Sequence, residues 1–135
     1  EGTFGVRMAE TVKVDAKQGG RIINSDGKTD GEAWGKQASW VDYHGPADGR
    51  TIGIAIFNHP SSFRYPTYWH VRTYGLFAAN PFGVRDFTAN KQADGSHTIP
   101  QGESISLRYR VYLHLGDEQE GKVAEAFKDY CTTVK

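Results

Sequence analysis

The chain lacks the features that mark a disulfide-stapled, membrane-spanning or polyanion-binding protein. Cys131 is its only cysteine, so no disulfide can form within the chain. Sixteen basic residues balance sixteen acidic ones, which gives no electrostatic reason to expect a nucleic-acid partner. No apolar run approaches the ~20 residues that cross a bilayer. We therefore predict neither a nucleic-acid partner nor a membrane span.

Glycine is abundant, whereas long periodic segments are few. Sixteen glycines and 38% hydrophobic residues indicate one loop-rich β domain over residues 1–135 rather than a helical bundle. Residues 51–57 (TIGIAIF) predict a buried strand, and residues 98–115 predict a hairpin with its turn at Pro100. Asp117 predicts the cap of a helix that ends near Tyr130. About six or seven strands and a terminal helix predict a β-sandwich.

The first residue is Glu1 rather than methionine, which we interpret as a sign of a processed product or a fragment. The domain would then be the C-terminal half of a larger sandwich. Half a sandwich leaves strand edges and an apolar face exposed. We expect a missing N-terminal half or another chain to cover them.

Residues 58–83 (NHPSSFRYPTYWHVRTYGLFAANPFG) hold the densest set of chemically useful side chains. The segment shows neither strand alternation nor helical spacing. Its prolines remove backbone donors, so tertiary contacts must hold it. Long irregular segments inside compact domains are usually functional or disordered, and so many aromatic rings disfavour disorder. We predict an ordered functional loop.

His59 and His70 stand at the two ends of the polar part of this loop. Imidazoles titrate near neutral pH and ligate metals, so we predict acid–base residues, or ligands of a divalent metal completed by Asp42, Glu32 or Asp86. Their separation of eleven positions matches no established metal motif, and a structural role is the alternative. Glu32 is the candidate general acid or base, because carboxylates perform most glycoside chemistry; an ordinary loop position is its alternative.

Arginine and aromatic residues complete the predicted site. Arg64 and Arg72 offer planar donor forks that match carboxylates or vicinal hydroxyls. Trp34, Tyr68 and Trp69 offer rings that contact the apolar faces of sugars. The alternatives are scaffold arginines stacked on tyrosines and rings packed in the core. Together these residues predict a site for a uronic acid or another oxidised sugar.

Three long phrases carry a family resemblance: AIFNHPSSFRYPTYWHVRTYGLFAANPFG, GKTDGEAWGKQASWVDYHG and SHTIPQGESISLRYRVYLHLGD. From about Gly2 to Tyr130 the chain resembles the C-terminal portion of the PmoA-like family, a domain of unknown function sometimes labelled methane oxygenase. The resemblance implies a β-sandwich protein, usually exported, of bacteria that break down complex sugars. It therefore implies a periplasmic or extracellular location.

The oxygenase label itself fits the residues poorly. Copper–oxygen chemistry needs imidazoles that converge on the metal, whereas the five histidines are scattered along a chain without an apolar span. We predict an exported carbohydrate-active protein, an enzyme of the lyase, hydrolase or epimerase type acting on an anionic or oxidised sugar. The alternatives are a non-catalytic carbohydrate-binding domain and a structural subunit of a larger complex.

Overall fold

The architecture is taken from a computed structural model, which describes residues 2–133. These residues form seven strands: β1 (Phe4–Arg7), β2 (Arg21–Asn24), β3 (Trp40–Ala47), β4 (Arg50–Asn58), β5 (Tyr68–Val71), β6 (Leu76–Asn80) and β7 (Tyr109–Leu115). The two α-helices are α1 (Val84–Phe87) and α2 (Val123–Thr133). None of the helices within residues 2–133 combines the length and the apolar character that a membrane crossing requires.

The strands pair into two antiparallel sheets. One has the order β1-β6-β5 and the other the order β2-β3-β4-β7. Strands β3 and β4 are joined by a tight turn in which Asp48 and Gly49 both have positive φ, 50° and 78°. This turn matches the twist of the two flanking strands and sets their register.

The main core lies between the two sheets. Alternate residues of each strand point inward, as the pleat requires. The fully buried inward side chains include Val41 and Tyr43 of β3, Ile56 of β4, Trp69 and Val71 of β5, and Phe77 of β6. The four-stranded sheet therefore presents the other residues of β3 and β4 on its outer face.

Helix α2 covers part of that outer face and forms a second core. Val123 and Tyr130 of the helix pack on Trp40, Ala55 and Phe57 of the sheet. Two sheets with a helix at the C-terminal end confirm the predicted β-sandwich. Asp42 and His44 lie on the same face of β3 as Trp40, because residues two apart in a strand share a face.

The predicted loop of residues 58–83 is more regular than its sequence indicated. It contains β5 and β6, which pair with each other in the smaller sheet. The prediction of an irregular segment was wrong for these strands because they have only four and five residues. Alternation over so few positions is hard to recognise when both faces carry aromatic rings.

The predicted hairpin of residues 98–115 is also incomplete. Tyr109–Leu115 pairs with β4, but residues 98–108 lie outside the strands. The backbone N–H groups of His59 and Phe63 donate instead to the carbonyls of Arg108 and Ser106, at 2.9 Å each. These bonds continue the register of β4 and β7 into the chain after β4.

The helix begins later than predicted. Asp117 does act as a cap, because its Oδ1 accepts the backbone N–H groups of Gln119 and Glu120 at 3.0 and 2.8 Å. The capped turn precedes α2, which begins at Val123. This turn carries Glu118 toward the sheet.

Candidate functional site

One group of predicted residues comes together on the outer side of the smaller sheet. We call it the aromatic–arginine surface and define it as Trp34, Tyr68, His70, Arg72, Tyr74 and Phe87. Tyr68 and His70 lie on the outer face of β5, because the intervening Trp69 is buried in the core. Trp34 follows a 3-10 turn at Asp30–Ala33, and Phe87 ends α1.

Phe87 is the ring around which this surface is built. The rings of Trp34 and Tyr68 lie 5.5 and 5.8 Å from it between centroids, the first edge-on and the second stacked. The imidazole of His70 also lies 5.8 Å from Phe87 and packs edge-on against Trp34 at 6.1 Å. His70 therefore packs among the rings of this surface.

Arg72 is held between two of these rings. Its guanidinium carbon lies 5.4 Å from the ring centroid of Trp34 and 5.4 Å from that of Tyr74. Arg7 approaches the same tyrosine at 6.0 Å. Such stacking holds the guanidinium in place while leaving its edge donors available. A pocket of about 230 Å³ opens beside it, lined by Gly31, Trp34, Val71, Arg72 and Thr73.

Glu32 is exposed and lies in the 3-10 turn that leads to Trp34. It is therefore near the aromatic–arginine surface in the chain, but the residue is open to solvent. A carboxyl group that is open to solvent in this way is not held beside a bound substrate by surrounding protein, as a general acid would be.

His59 lies on the other side of the sandwich. It follows β4, is 6% exposed, and packs edge-on against Tyr130 of α2 with 5.0 Å between centroids. Its Nδ1 accepts the backbone N–H of Ser61 at 3.1 Å and lies 2.7 Å from the Ser61 hydroxyl. The structure thus separates His59 from His70, and the contacts of His59 are those of a residue with a structural role.

Arg64 uses its guanidinium to hold the chain after β6. It donates to the carbonyl oxygens of Pro81 at 3.1 Å, Gly95 at 2.6 Å and Ser96 at 3.1 Å. Arg64 and Tyr68 do meet at a second pocket, of about 300 Å³. The donors that would orient an anionic sugar are nevertheless directed at the protein backbone.

Trp69 belongs to the core rather than to the predicted sugar platform. Its side chain is fully buried, and its indole N–H donates to the carbonyl of Ala38 at 2.9 Å. Both ring faces are therefore covered by protein. Among the predicted residues, Trp34, Tyr68, His70 and Arg72 are brought together, whereas His59 and Trp69 are not.

A second polar group, which the sequence did not reveal as a unit, lies on the outer face of the larger sheet. Asp42 is fully buried and uses both carboxylate oxygens. Oδ2 accepts Nδ1–H of His44 at 2.8 Å, and Oδ1 accepts Nε2–H of His114 at 2.5 Å. The carboxylate of Glu118 lies 3.8 Å from the same Nδ1 of His44. We call these four residues the Asp42 cluster.

The positions of the Asp42 cluster follow from strand register. His44 on β3 and His114 on β7 both pair with Gly53 of β4, so one row crosses three strands. Two sequence signals were available: Asp42 and His44 alternate in WVDYHG, and Tyr112 and His114 alternate in RYRVYLHL. Asp42 was considered as a metal ligand, but only the pairing of β4 with its two neighbours brings the two histidines together.

The electrostatics of the Asp42 cluster favour a charged His114. Burial lowers the pKa of this imidazole, but its hydrogen bond to Asp42 and the charge of that carboxylate raise it more, so the net pKa is raised. Its Nδ1 also faces the carbonyl oxygen of Leu115 at 3.3 Å. Both ring nitrogens therefore face acceptors, which suits the imidazolium form.

Fold and surfaces together define the class of protein. It is a small antiparallel β-sandwich with a helix over one sheet, an exposed aromatic–arginine surface on one side and a buried carboxylate–histidine cluster on the other.

The chain belongs to a family of unknown function, DUF6807, whose profile matches residues 1–128. Neither the curated proteins nor the solved structures contain a match to the chain. The comparisons do not connect it with PmoA-like proteins.

Proposed function

We propose that this chain binds an anionic carbohydrate, such as a uronic acid, at the aromatic–arginine surface. The observation that carries the proposal is the placement of Arg72. Its guanidinium is stacked between Trp34 and Tyr74, and it takes part in none of the ion pairs within residues 2–133. A fixed guanidinium without a carboxylate partner is suited to a carboxylate supplied by a ligand.

The surroundings of Arg72 support a sugar rather than a simple anion. Tyr74 is 40% exposed, and Trp34 is half-buried beside the pocket. Ring faces of this kind contact the C–H faces of sugars. The pocket volume of about 230 Å³ lies below the range typical of drug-sized ligands, which suits one sugar residue.

Binding without catalysis is the function that the geometry favours. An enzyme of the lyase, hydrolase or epimerase type needs an acid–base group beside the bound sugar. His59 lies on the opposite side of the sandwich, and Glu32 is exposed. His70 is the one predicted acid–base residue at this surface, so an enzymatic role stays the second candidate and depends on His70.

The exported, periplasmic or extracellular location and the PmoA-like resemblance remain part of this proposal. An exported domain that binds acidic sugars would serve bacteria that break down complex polysaccharides. The exposed apolar side chains of Val111, Leu113 and Leu115 support the further proposal that another chain, or an N-terminal half, covers the free side of β7.

Titration with glucuronate and galacturonate, followed by calorimetry or by chemical shifts, tests the proposed function. We expect a uronate to bind more tightly than the neutral sugar, and Arg72→Ala to weaken binding about tenfold or more, as for loss of a charge-assisted hydrogen bond. Arg50→Ala, at the β3–β4 turn, is the matched control for loss of an exposed arginine. Equal affinity of the Arg72→Ala variant and the wild type would overturn the proposal.

The enzymatic candidate has its own test. A panel of uronate-containing oligosaccharides is incubated with wild type and with His70→Gln, and products are followed by mass spectrometry. Turnover that His70→Gln abolishes while binding persists would establish the enzyme. Binding without detectable products would support a non-catalytic carbohydrate-binding domain.

A further inference from the structure

We propose that Asp42, His44 and Glu118 form a binding site for a divalent transition metal ion, with Zn²⁺ as the best fit. The site lies on the outer face of the larger sheet, beneath the turn that precedes α2. It is separate from the aromatic–arginine surface, and the proposal does not depend on sugar binding.

The three ligand atoms already converge. Nδ1 of His44 lies 2.8 Å from Oδ2 of Asp42 and 3.8 Å from Oε2 of Glu118. Three such atoms, one from each residue, lie within 4.8 Å of one another. Ligands of a tetrahedral ion with bonds of about 2.0–2.1 Å stand about 3.3 Å apart. The two separations from His44 differ from this spacing by about half an ångström, and the third, between Asp42 and Glu118, exceeds it by at most about 1.5 Å.

The carboxylate of Glu118 approaches His44 without a direct hydrogen bond, as an ion pair if His44 is protonated or as a second ligand beside it if a metal ion is bound. A separation of 3.8 Å is too long for a hydrogen bond. The Glu118 side chain is nevertheless only 16% exposed, so its carboxylate is largely withdrawn from water toward a residue that Asp42 already engages. Burying a carboxylate in this way is costly unless a cation accompanies it.

The donor set matches a borderline metal ion in both charge and ligand type. Metal binding displaces the proton that Nδ1 of His44 shares with Asp42 in the ion-free chain, because a ligating imidazole nitrogen is unprotonated. The two carboxylates and the neutral imidazole then carry a charge of −2, which a divalent ion neutralises. Imidazole nitrogen favours Zn²⁺, Fe²⁺ or Ni²⁺ over Mg²⁺ and Ca²⁺, which prefer oxygen ligands throughout. Three protein ligands leave a fourth position for water or a substrate atom, as in catalytic zinc sites.

His114 supplies the outer support that metal-binding carboxylates usually have. It donates Nε2–H to the Asp42 oxygen that faces away from His44, which fixes the orientation of the carboxylate. The imidazole of His114 fits at this place because residue 121 is glycine. A Cβ at Gly121 would lie 2.3 Å from Nδ1 of His114, so the capped turn can pass over the imidazole only with glycine at this position.

The elements that carry the ligands are rigid. Asp42 and His44 belong to β3, which is paired on both sides. Glu118 lies in the turn that Asp117 caps, and its own carbonyl accepts the first backbone N–H of α2, that of Val123, at 3.0 Å. Ligands held on such elements need little reorganisation when the ion binds.

Zinc titration of the chelator-treated chain by calorimetry, with ion counts from mass spectrometry after dialysis, tests the site. We expect one Zn²⁺ per chain, little binding of Mg²⁺, and a rise in melting temperature that a chelator reverses. Glu118→Gln should weaken binding at least tenfold, and His44→Gln should abolish it. Glu125→Gln, an exposed position on α2, is the control and should bind as wild type does.

His114→Gln tests the outer support and should weaken zinc binding about 10–100-fold without changing the stoichiometry. Circular dichroism shows which variants fold. If His44→Gln does not fold, zinc binding by Glu118→Gln tests the site, because Glu118 is partly exposed and its substitution is less disruptive. Substoichiometric zinc in the wild type overturns the proposal. Wild-type affinity in Glu118→Gln overturns it equally, because the ion would then be bound elsewhere.

Discussion

Gly53 faces the imidazole of His114 so closely that a Cβ added to the glycine would lie 2.3 Å from Nε2 of that ring. The same Cβ would lie 3.1 Å from the Cβ of His44 on the opposite strand. The imidazole cannot turn away, because Nε2 is bonded to Asp42 and the side chain is only 3% exposed. The absence of a side chain at this central strand position is what lets two histidines converge on one carboxylate.

Gly53→Ala should therefore destabilise the chain. Overpacking a buried site costs about 1–3 kcal/mol in unfolding free energy, and the displaced imidazole would also leave Asp42 without one partner. Urea denaturation measures the loss. Gly31→Ala is the control, since a Cβ there meets nothing within 4 Å. Equal stability of the two variants would contradict the packing argument.

Stability of the metal-free chain should fall as pH rises past neutrality. The pKa of His114 is raised in the folded state by Asp42 against the opposing effect of burial, so folding favours its protonated form. This stabilisation is fully present below the ordinary pKa of about 6.5 and is lost as pH rises through the higher folded-state value. His44, Asp117 and Glu118 also face or adjoin this group.

Urea denaturation from about pH 6 to about pH 9, with a chelator present, measures this dependence. Asp42→Asn should lower stability at the acidic end and flatten the profile, since the amide cannot hold the imidazolium. A profile that stays the same in Asp42→Asn would assign the dependence to other groups.

The two tryptophans at positions 34 and 69 should respond in opposite ways to truncation. Trp69 is fully buried and bonded to Ala38, so Trp69→Ala should cost about 3–5 kcal/mol in unfolding free energy. Trp34 is half-buried at the pocket beside Arg72, so Trp34→Ala should cost less stability and remove uronate binding. Parallel denaturation and titration of the two variants measure both effects. Uronate binding that survives Trp34→Ala would place the sugar elsewhere.

Arg64→Ala should loosen the chain after β6. Three carbonyl oxygens, those of Pro81, Gly95 and Ser96, lose their donors, which we expect to cost about 1–3 kcal/mol. Amide exchange in residues 81–96 should accelerate, whereas exchange in β3 should not. Arg64→Lys should recover little of the lost stability, because one ammonium group cannot make the hydrogen bonds of the planar guanidinium. Full rescue by lysine would show that the charge alone matters.

Local patterns were sufficient to predict much of the fold but little of the Asp42 cluster. The run TIGIAIF predicts β4, because the signal lies within a few consecutive residues. Asp42 and His114 are 72 positions apart, and only the pairing of β4 with β7 makes them neighbours. Long-range register of this kind is not encoded in composition or spacing.

The aromatic–arginine surface was predicted only in part, because some of its residues are close together in the chain and others are brought in by the fold. Tyr68, His70 and Arg72 lie close together in the chain, so their residue types alone indicated a shared site. Phe87, which joins their rings, was not expected, because it reaches them through α1. Trp69 was misplaced because its neighbours on β5 face outward while it faces the core.

If another chain normally covers the exposed apolar side chains of β7, the isolated chain should self-associate through them. Leu113 and Leu115 are 71% and 63% exposed, and Val111 is 42% exposed, in one row on β7, whose outer edge pairs with no strand within residues 2–133. Contiguous apolar side chains at an open strand edge favour association. Leu113→Lys should therefore lower the mass measured by light scattering toward that of one chain. Ile99→Lys, which removes an apolar side chain that is 48% exposed outside this row, should not. A wild-type chain that is already a cooperatively unfolding monomer of 15.0 kDa would count against a missing half or partner.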